Sequence, residues 1–407
     1  MKLPGRLRRR FLLIALFGTG LVVPATGQFL SDFSQGTLAL DPRGLHGWGY
    51  FTGDGQAVMD FRQSNGYASI VVDATKDQRG IWWALIKHLV SEKMDLARLR
   101  LPHHELRIEA RVRVSDAPKR VNLSLNTQRT TDFHANLMEF DIPDTNNWHT
   151  ISMTSRGFDA VPGDSIYGQL ALMDWGLEKY RVDLQYFRVD IVCTDSVPPD
   201  RGVSVPYHPP LLKTSAFAQH IAAAENAMID LQYPDLTFGA WSDVGGKEPR
   251  RILTVSPTQF IIMRWDLKAF EGRKAAGAGE LELTTHALQR SPAYPKDFGM
   301  VRVCEILGGN PAWVAEEVTT AAFCGGLPLT RVINSQMIID SEVDGRQGGR
   351  NLFTIPEPVM QRLIDGRTLG LAIKPLGAIL AAFYPNGSGA GEQCPTLHFN
   401  CEPAVRK

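Results

Sequence analysis

The most constraining feature of the sequence is a strict alternation of apolar and charged residues in LRIEARVRV, residues 106–114. Even-numbered positions from Ile108 to Val114 are apolar, and odd-numbered positions from Arg107 to Arg113 are charged. Successive side chains of a β-strand point to opposite faces, so this pattern predicts a strand with one face in a core and the other in water. Further segments typical of strands are 121–128, 149–155 and 180–192. Short strands separated by Gly, Asp and Asn turn signals predict an all-β fold of the sandwich or jelly-roll type.

The second half of the chain is again rich in strand patterns, at residues 251–267, 279–289 and 299–307. One helix is predicted at PEPVMQRLIDG, residues 356–366. Proline stands at its start, Val359, Leu363 and Ile364 share a face, and Gly366 ends it. Both halves should therefore be mostly β.

A proline-rich segment separates the two halves. Residues 196–210 hold five prolines in fifteen positions. Proline cannot donate a backbone hydrogen bond and favours extended backbone, which predicts a semi-rigid linker. We expect two jelly-roll-like β-sandwich domains, residues 28–195 and 213–407, joined by a linker at 196–212.

The first 27 residues read as a secretory signal peptide. Five basic residues precede a short apolar run that closes on small residues before Gln28. Export predicts a secreted or periplasmic protein with no membrane partner after cleavage. Removing this segment removes five basic residues and no acidic one from a chain with 43 of each, so the remainder is slightly acidic. That charge argues against nucleic acid as a partner.

Five cysteines stand at positions 193, 304, 324, 394 and 401. In an exported protein, disulfide pairing is plausible, and several pairings with one odd cysteine are possible. We favour Cys304–Cys324 and Cys394–Cys401, because each pair brackets a loop within one predicted domain. No spacing is CxxC, so a zinc site has little weight.

The segment VNLSLNTQ carries an uncharged polar side chain at every second position, namely Asn122, Ser124, Asn126 and Gln128. Burying such groups without partners costs about 1–3 kcal/mol each. They should therefore face water, one another, or a ligand rich in hydroxyls. The pattern suggests a groove for a sugar chain, with an ordinary exposed or intra-sheet ladder as the alternative.

The residues that follow could add catalysis to binding. On a uronate polymer, an amide or guanidinium would neutralise the carboxylate, a histidine would take the C5 proton, and a tyrosine would protonate the leaving oxygen in a β-elimination. The residues that suit these roles are Asn126, Gln128, Arg129, His134 and Tyr180, with Tyr167 as another choice for the acid. Asp132 would contact the ligand beside them. The alternative is a loop in which these groups bond one another.

Aromatic side chains are candidate platforms for sugar rings. The first domain offers Trp82, Trp83 and Trp175 among others. Adjacent residues of a strand point to opposite faces, so one of Trp82 and Trp83 should lie in the core. The competing interpretation is that both are packing residues.

Several segments of the first domain resemble a carbohydrate-binding module of the 4/9 type, a jelly roll of the galactose-binding-like group. The matching pieces are SDFSQG, GWGYFTGDGQA, GYASIVVDATKDQRGIWWALIKHLV and VDLQYFRV. The resemblance implies carbohydrate binding and a structural calcium, with Asp183 as the last-strand acid that would ligate it. Ser34 stands where the family usually has an acid.

The second domain resembles a DNRLRE-type β-sandwich, a module attached to secreted polysaccharide-degrading proteins. The matching pieces include FIIMRWDLKAF, ELELTTHAL, VRVCEILGGNPAWVAEEVTTAAF and FTIPEPVMQRLIDGRTLGLAIKP. The family's name motif and its second Trp are absent, which marks a diverged member. The resemblance implies a sandwich fold and, in some members, alginate binding.

Taken together, the sequence predicts a secreted protein that binds polysaccharide, with uronate-containing chains as the acidic option. The alternative is a polysaccharide lyase, and a glycoside hydrolase is less favoured because no carboxylate pair stands out. A structural calcium is the only cofactor suggested.

Overall fold

The structure is a computed structural model, and the residues it describes are 28–34, 48–52, 57–64, 66–76, 83–133, 135–173, 178–205, 212–238, 252–290, 299–386 and 393–403. The predicted signal peptide lies outside them. None of the helices in this part of the chain has the length and apolarity needed to cross a bilayer.

The first domain is a sandwich of two six-stranded antiparallel sheets. Its strands are β1 (Gln28–Ser31), β2 (Trp48–Phe51), β3 (Val58–Ser64), β4 (Tyr67–Asp73), β5 (Trp83–Leu89), β6 (His104–Val114), β7 (Lys119–Thr127), β8 (Leu137–Ile142), β9 (His149–Thr154), β10 (Ile166–Met173), β11 (Lys179–Cys193) and β12 (Ser204–Val205). The first sheet has the order β3-β4-β11-β6-β9, with β1 also on β11. The second has the order β12-β8-β7-β10-β5-β2.

The core of this sandwich follows the period-two pattern of the sequence. Ile108, Ala110 and Val112 of β6 point inward and are fully buried, as is Leu123 of β7. The ring of Trp48 packs among other aromatic side chains of the same cluster. Full burial of a side chain the size of Val, Leu or Ile contributes roughly 1.5–3 kcal/mol relative to leaving it exposed. The alternation is therefore sufficient to fix the inner faces of the two sheets.

Arg107 lies on the face of β6 that was predicted to face solvent, but its side chain is not exposed. It is buried, and its guanidinium donates to the carbonyl oxygens of Pro198 and Pro199 and to the carboxylate of Asp200. The next residues form β12, which pairs with β8. Residues 196–205 therefore pack on the first sandwich, and the expected linker is shorter than 196–212.

The second domain is a sandwich of one six-stranded and one five-stranded sheet, with a small two-stranded one beside them. Its strands are β13 (Gln219–Ala222), β14 (Glu225–Asp230), β15 (Leu253–Val255), β16 (Gln259–Arg264), β17 (Arg273–Ala275), β18 (Gly279–Arg290), β19 (Gly299–Ile306), β20 (Ile333–Ser341), β21 (Arg350–Ile355), β22 (Gly370–Gly377), β23 (Ile379–Phe383), β24 (Thr396–Phe399) and β25 (Cys401–Pro403). The orders are β13-β24-β18-β23-β15, with β21 also on β18, β14-β16-β22-β19-β20, and β17-β25. The all-β prediction is confirmed.

Three α-helices are described in this domain: α1 (Thr320–Cys324), α2 (Leu329–Val332) and α3 (Glu357–Ile364). The predicted helix is confirmed as α3, which buries Val359, Leu363 and Ile364. Gly366 follows it at a φ of 68°, a conformation that favours glycine. The two short helices, α1 and α2, were not predicted, because each is too short to show an apolar pattern with helical period.

The predicted disulfides Cys304–Cys324 and Cys394–Cys401 are not formed in this structure. Cys304 and Cys324 lie in the same apolar cluster, together with Trp313 and Phe323, and act there as small apolar side chains. Burial raises the pKa of both thiols, which keeps them protonated.

The two sandwiches contact each other through a buried network of charges at the start of β7. Arg120 donates to Asp141 at 3.0 Å, to Glu139 at 3.2 Å, and to the carbonyl oxygen of Ile338 in β20 at 3.3 Å. Arg362 of α3 donates to the other oxygen of Asp141 at 3.4 Å. The contact thus ties a strand of one domain to a strand and a helix of the other.

Glu305 of β19 completes this network by accepting from Arg362 at 2.8 and 2.9 Å. We call the following set the interdomain corner: Arg120, Glu139, Asp141, Glu305, Ile338 and Arg362. Its charged side chains are all buried. Removing one member of a buried ion pair typically costs about 3–5 kcal/mol, because its partner is left buried without compensation.

Candidate functional site

The polar row of β7 lies on the outer face of the second sheet of the first domain. Val121, Leu123 and Leu125 point into the core, so the intervening Asn122, Ser124 and Asn126 point away from it. The row is not the open surface expected, since these three side chains are only 5–8% exposed. They lie on a sheet face that is largely covered.

Strand register places the row beside side chains of three neighbouring strands. Asn122 pairs with Ala171 of β10, which pairs with Leu85 of β5, which pairs with Phe51 of β2. On the other side, Asn122 pairs with Glu139 of β8. This line of side chains crosses the sheet at right angles to the strands.

Two parallel lines complete the surface. Ser124 pairs with Gln169, which pairs with Lys87, and Asn126 pairs with Tyr167. We call this surface the amide face, formed by Phe51, Leu85, Lys87, Asn122, Ser124, Asn126, Tyr167, Gln169 and Ala171. It combines uncharged hydrogen-bonding groups with two aromatic rings and one cation.

Hydrogen bonds on the amide face are incomplete. Ser124 Oγ donates to Gln169 Oε1 at 3.4 Å. The buried side-chain oxygen of Asn122 has no hydrogen-bond partner in the described part of the chain. The Nζ atom of Lys87 lies 5.4 Å from the centroid of the Tyr167 ring, in cation–π contact. The Asn122 oxygen is enclosed in the covered part of the face, whereas the Tyr167 ring and the Lys87 side chain reach the surface.

Phe51 and Gln169 were not among the ligand-binding residues predicted from the sequence, and Tyr167 was predicted only as a possible acid. A signal for two of them existed in IYGQLALM, where Tyr167, Gln169 and Ala171 alternate with Ile166 and Leu170. The alternation is the same period-two pattern as in β7. Only strand pairing shows that the two polar rows are neighbours.

The end of β7 leads into a charged cluster that holds a loop. Gln128 Nε2 donates to Asp164 at 2.8 Å, and its oxygen accepts from the Ser165 backbone at 2.8 Å. Arg129 donates to Asp164 at 2.7 Å and to Asp159 at 3.0 Å. The hydrogen bonds from Arg129 hold the pKa of the Asp164 carboxyl well below its usual range. The catalytic roles predicted for Gln128 and Arg129 do not fit, because both side chains are bonded to the loop at 159–165.

A pocket of about 460 Å³ opens beside this loop. Its lining includes Leu89, Ser91, Met94, Pro162 and Asp164. Leu89 pairs with Tyr167 across β5 and β10, so the pocket adjoins the amide face at the Asn126 end.

Tyr180 cannot serve as the predicted acid. It belongs to β11 in the other sheet, is 3% exposed, and lies in the hydrophobic core. The Nζ atom of Lys119 lies 4.1 Å from its ring centroid. The thickness of the sandwich separates its hydroxyl from the amide face.

Asp183 does not fit the predicted calcium ligand. It is also in β11, is buried, and pairs with Arg113 at 2.8 Å and Arg181 at 3.1 Å. Two guanidinium groups already neutralise this carboxylate. Among the described residues, no cluster of three or more His, Cys, Asp or Glu is arranged to hold a metal ion.

Side-chain positions are not described for most of the remaining predicted site residues. His134, Trp82 and Trp175 lie outside the described residues, and only the backbone of Trp83 is described, at the start of β5. Asp132 is exposed in the turn after β7.

The second domain has a polar cluster on the outer face of its six-stranded sheet. Glu282 accepts from His398 at 3.0 Å and from Arg350, and His398 Nδ1 lies 2.7 Å from His220 Nδ1. Glu280, beside them, accepts from the Leu212 backbone at 2.8 Å. Unlike the amide face, this cluster is charged and bonds mainly to itself.

No family model matches the sequence, and no curated protein sequence matches it. The 4/9-type and DNRLRE-type assignments are therefore not confirmed.

Several solved structures are similar over one or both domains. One, described as "CBM4 structure and function", has 13% identity, covers 40% of this chain and 97% of its own, and has a TM-score of 0.28. A family 11 carbohydrate-binding module from Clostridium thermocellum, in complex with a mixed-linked tetrasaccharide, has 11% identity, coverages of 38% and 95%, and a TM-score of 0.24. The tandem CBM22-1–CBM22-2 domain of Paenibacillus barcinonensis Xyn10C has 11% identity, coverages of 94% and 99%, and a TM-score of 0.26. Identity and TM-score are low in each case, so we base the function on the residues of this chain.

Proposed function

We propose that the protein binds polysaccharide through the amide face. The observation that supports this is the accessible part of the face, where the rings of Phe51 and Tyr167 and the side chain of Lys87 reach the surface beside the polar row. Sugars offer hydroxyl groups to amides and patches of C–H bonds to aromatic rings.

Two features refine the proposal. Lys87 is an exposed cation next to Tyr167, which favours an acidic, uronate-containing chain over a neutral one. Residues 1–27 read as a signal peptide, so we propose that the protein acts outside the cytoplasm.

Cleavage by β-elimination receives no support from the geometry. Gln128 and Arg129 are bonded to the loop at 159–165, and Tyr180 lies in the core. We therefore propose a binding protein rather than a lyase.

The test is affinity electrophoresis of the purified protein through gels containing neutral and uronate polysaccharides, with absorbance of unsaturated sugar products followed in parallel. We expect retardation by at least one polysaccharide and no new double bonds. Tyr167→Ala should weaken binding about two- to tenfold, since an aromatic contact contributes roughly 0.5–1.5 kcal/mol.

The matched control is Tyr233→Ala, which removes a tyrosine that is 50% exposed in the second domain. It should leave binding unchanged. Retardation by no polysaccharide, or equal retardation of wild type and the Tyr167 variant, would contradict the proposal. Accumulation of unsaturated products would replace it with the lyase.

A further inference from the structure

Only one edge of the amide face is accessible. Phe51 of β2 is 47% exposed and Lys87 of β5 is exposed as well, whereas every residue of β7 is buried. Tyr167 of β10, between β5 and β7, is partly buried. A ligand on this face must therefore lie over β2, β5 and the Tyr167 ring, because β7 offers it no exposed side chain.

The outward side chains of β5 form a continuous strip along this edge. Leu85, Lys87 and Leu89 follow one another at every second position, and Phe51 lies beside Leu85. Gly49 lies beside Lys87, and a Cβ atom there would have only the Lys87 side chain within 4 Å. We call these five residues the β5 strip. At about 3.3 Å per residue, the strip from Leu85 to Leu89 is roughly 13 Å long.

The pocket of about 460 Å³ continues the β5 strip. Leu89 ends β5 and also lines the pocket, whose other lining residues come from the segments 91–97 and 162–165. Leu89, Met94 and Pro162 give the lining an apolar part. A volume of this size lies within the range of small-molecule sites. Because Leu89 belongs to both the strip and the pocket, one sugar chain can contact both without crossing a buried surface.

The β5 strip and the pocket differ in charge. Lys87 is a cation in the strip. Among the described residues that line the pocket, none is Lys or Arg, and three are acidic: Glu92, Asp95 and Asp164. Arg129 pairs with Asp164 at 2.7 Å. Glu92 and Asp95 are exposed, and their carboxylates leave the pocket with a negative charge.

From this arrangement we infer that the polysaccharide lies along β5, with a uronate beside Lys87 and a neutral sugar in the pocket. This inference rests on the proposed function and adds the class of polysaccharide, one in which uronic acids are interspersed with neutral sugars. Glu92 and Asp95 would repel a carboxylate on the sugar in the pocket. The hydroxyl groups of a neutral sugar can instead donate hydrogen bonds to these two carboxylates.

Titration calorimetry of the unmodified, full-length protein with three hexasaccharides tests the class. The probes are the hyaluronan hexamer, in which glucuronate alternates with the neutral N-acetylglucosamine, the uniformly acidic galacturonate hexamer, and the neutral cellohexaose. We expect the hyaluronan hexamer to bind at least about threefold more tightly than either of the others. Any other order of affinities, or binding of none of the three, would overturn the inference.

A reversed charge in the pocket tests where the neutral sugar lies. Glu92→Lys should raise the affinity for the galacturonate hexamer about three- to tenfold, because an attraction replaces a repulsion. The affinity for cellohexaose should stay within about twofold, because this probe has no charge. The matched control is Glu271→Lys, which makes the same change of charge at an exposed position of the second domain. Equal effects of the two variants would show that the pocket does not hold a sugar.

A side chain added at Gly49 tests the path along β5. Gly49→Leu would place its side chain over the strip beside Lys87 and should lower the affinity for the hyaluronan hexamer about tenfold. Gly49→Ala is the matched control, because its single added carbon would lie 3.9 Å from the Lys87 side chain, at ordinary contact distance. Equal binding by the leucine and alanine variants would contradict the path.

The two proposals fail in different ways. If no polysaccharide is retained in the gels described above, the proposed function fails and this inference with it. If polysaccharide is retained, but the hexasaccharides do not follow the expected order or Glu92→Lys behaves like its control, only this inference fails.

Discussion

Two asparagines, one in each sandwich, are buried to the same extent and are bonded differently. Asn122 and Asn351 are each 5% exposed. Asn351 donates to the Leu283 carbonyl and to Thr285 Oγ1, and its oxygen accepts from the Asp344 backbone at 2.7 Å. Asn122 Oδ1 has no partner among the described residues. At equal burial, Asn351 therefore completes the hydrogen bonding of its sheet, whereas the Asn122 oxygen has no partner among the described residues.

The faces around these residues differ in the same way. On the outer face of the second sandwich, Glu282, His398 and Arg350 neutralise one another. On the amide face, all groups but Lys87 are uncharged, and the Asn122 oxygen has no partner among the described residues. Charges that pair internally stabilise a domain, while uncharged groups with spare hydrogen bonds are suited to recognise hydroxyls.

Arg362→Ala should lower the free energy of unfolding by about 3–5 kcal/mol, because it leaves Glu305 and Asp141 buried with less compensation. Denaturant titration measures the loss. Arg367→Ala is the matched control, since its pair with Asp365 is exposed and should change stability by less than about 0.5 kcal/mol. Similar effects of the two variants would show that the interdomain corner is not a stabilising contact.

Glu282→Gln should destabilise the fold at neutral pH, because the variant loses the charge of the hydrogen-bonded partner of His398 and Arg350. Burial opposes ionisation of Glu282, but hydrogen bonds from His398 and Arg350 outweigh it and lower its pKa to about 2. A lowered carboxyl pKa stabilises the fold above the unfolded value, near 4.3, and this stability is lost as pH falls from about 4 to about 2. Unfolding measured across this range should converge for wild type and variant. The Glu402→Gln variant, which changes an exposed carboxylate, should show no such difference from wild type. If the stability difference between wild type and Glu282→Gln does not change with pH, the pairing of Glu282 with His398 and Arg350 is contradicted.

Asn351→Ala should destabilise the protein by about 1–3 kcal/mol, because its buried partners lose their hydrogen bonds. Asn122→Ala should cost less than about 1 kcal/mol, since the lost oxygen has no partner. Thermal and denaturant unfolding of the two variants give a direct comparison. A larger loss for Asn122→Ala would mean that this side chain is structural.

Glu139→Gln should change stability by less than about 1 kcal/mol. Burial, only partly offset by the charge of Arg120, raises the pKa of Glu139. A raised carboxyl pKa means that the folded state favours the protonated form, so ionisation of wild type at higher pH carries a cost that glutamine lacks. The variant should therefore gain stability relative to wild type as pH rises from about 4 to about 8. A relative loss over that range would show that Arg120 requires the charge of Glu139.

Much of the fold was predictable from local patterns. The alternation in β6 and β7 identified the inward residues, and the prolines, Val359 and Gly366 identified α3. The state of the cysteines was not predictable, because cysteine positions in a sequence do not show which thiols lie in a core. The contacts of Gln128, Arg129 and Tyr180 were not predictable for a related reason, since their partners, Asp164 and the core, come from other parts of the chain.

By itself, the sequence determined which face of each strand a side chain takes, because a β-strand alternates with a period of two residues wherever it lies. Only the tertiary structure decided what covers the outer faces. Arg107 is covered by the proline segment, Arg120 by the second domain, and Phe51 remains exposed. The physical reason is that alternation depends on neighbours in the chain, whereas covering depends on contacts between residues far apart in it.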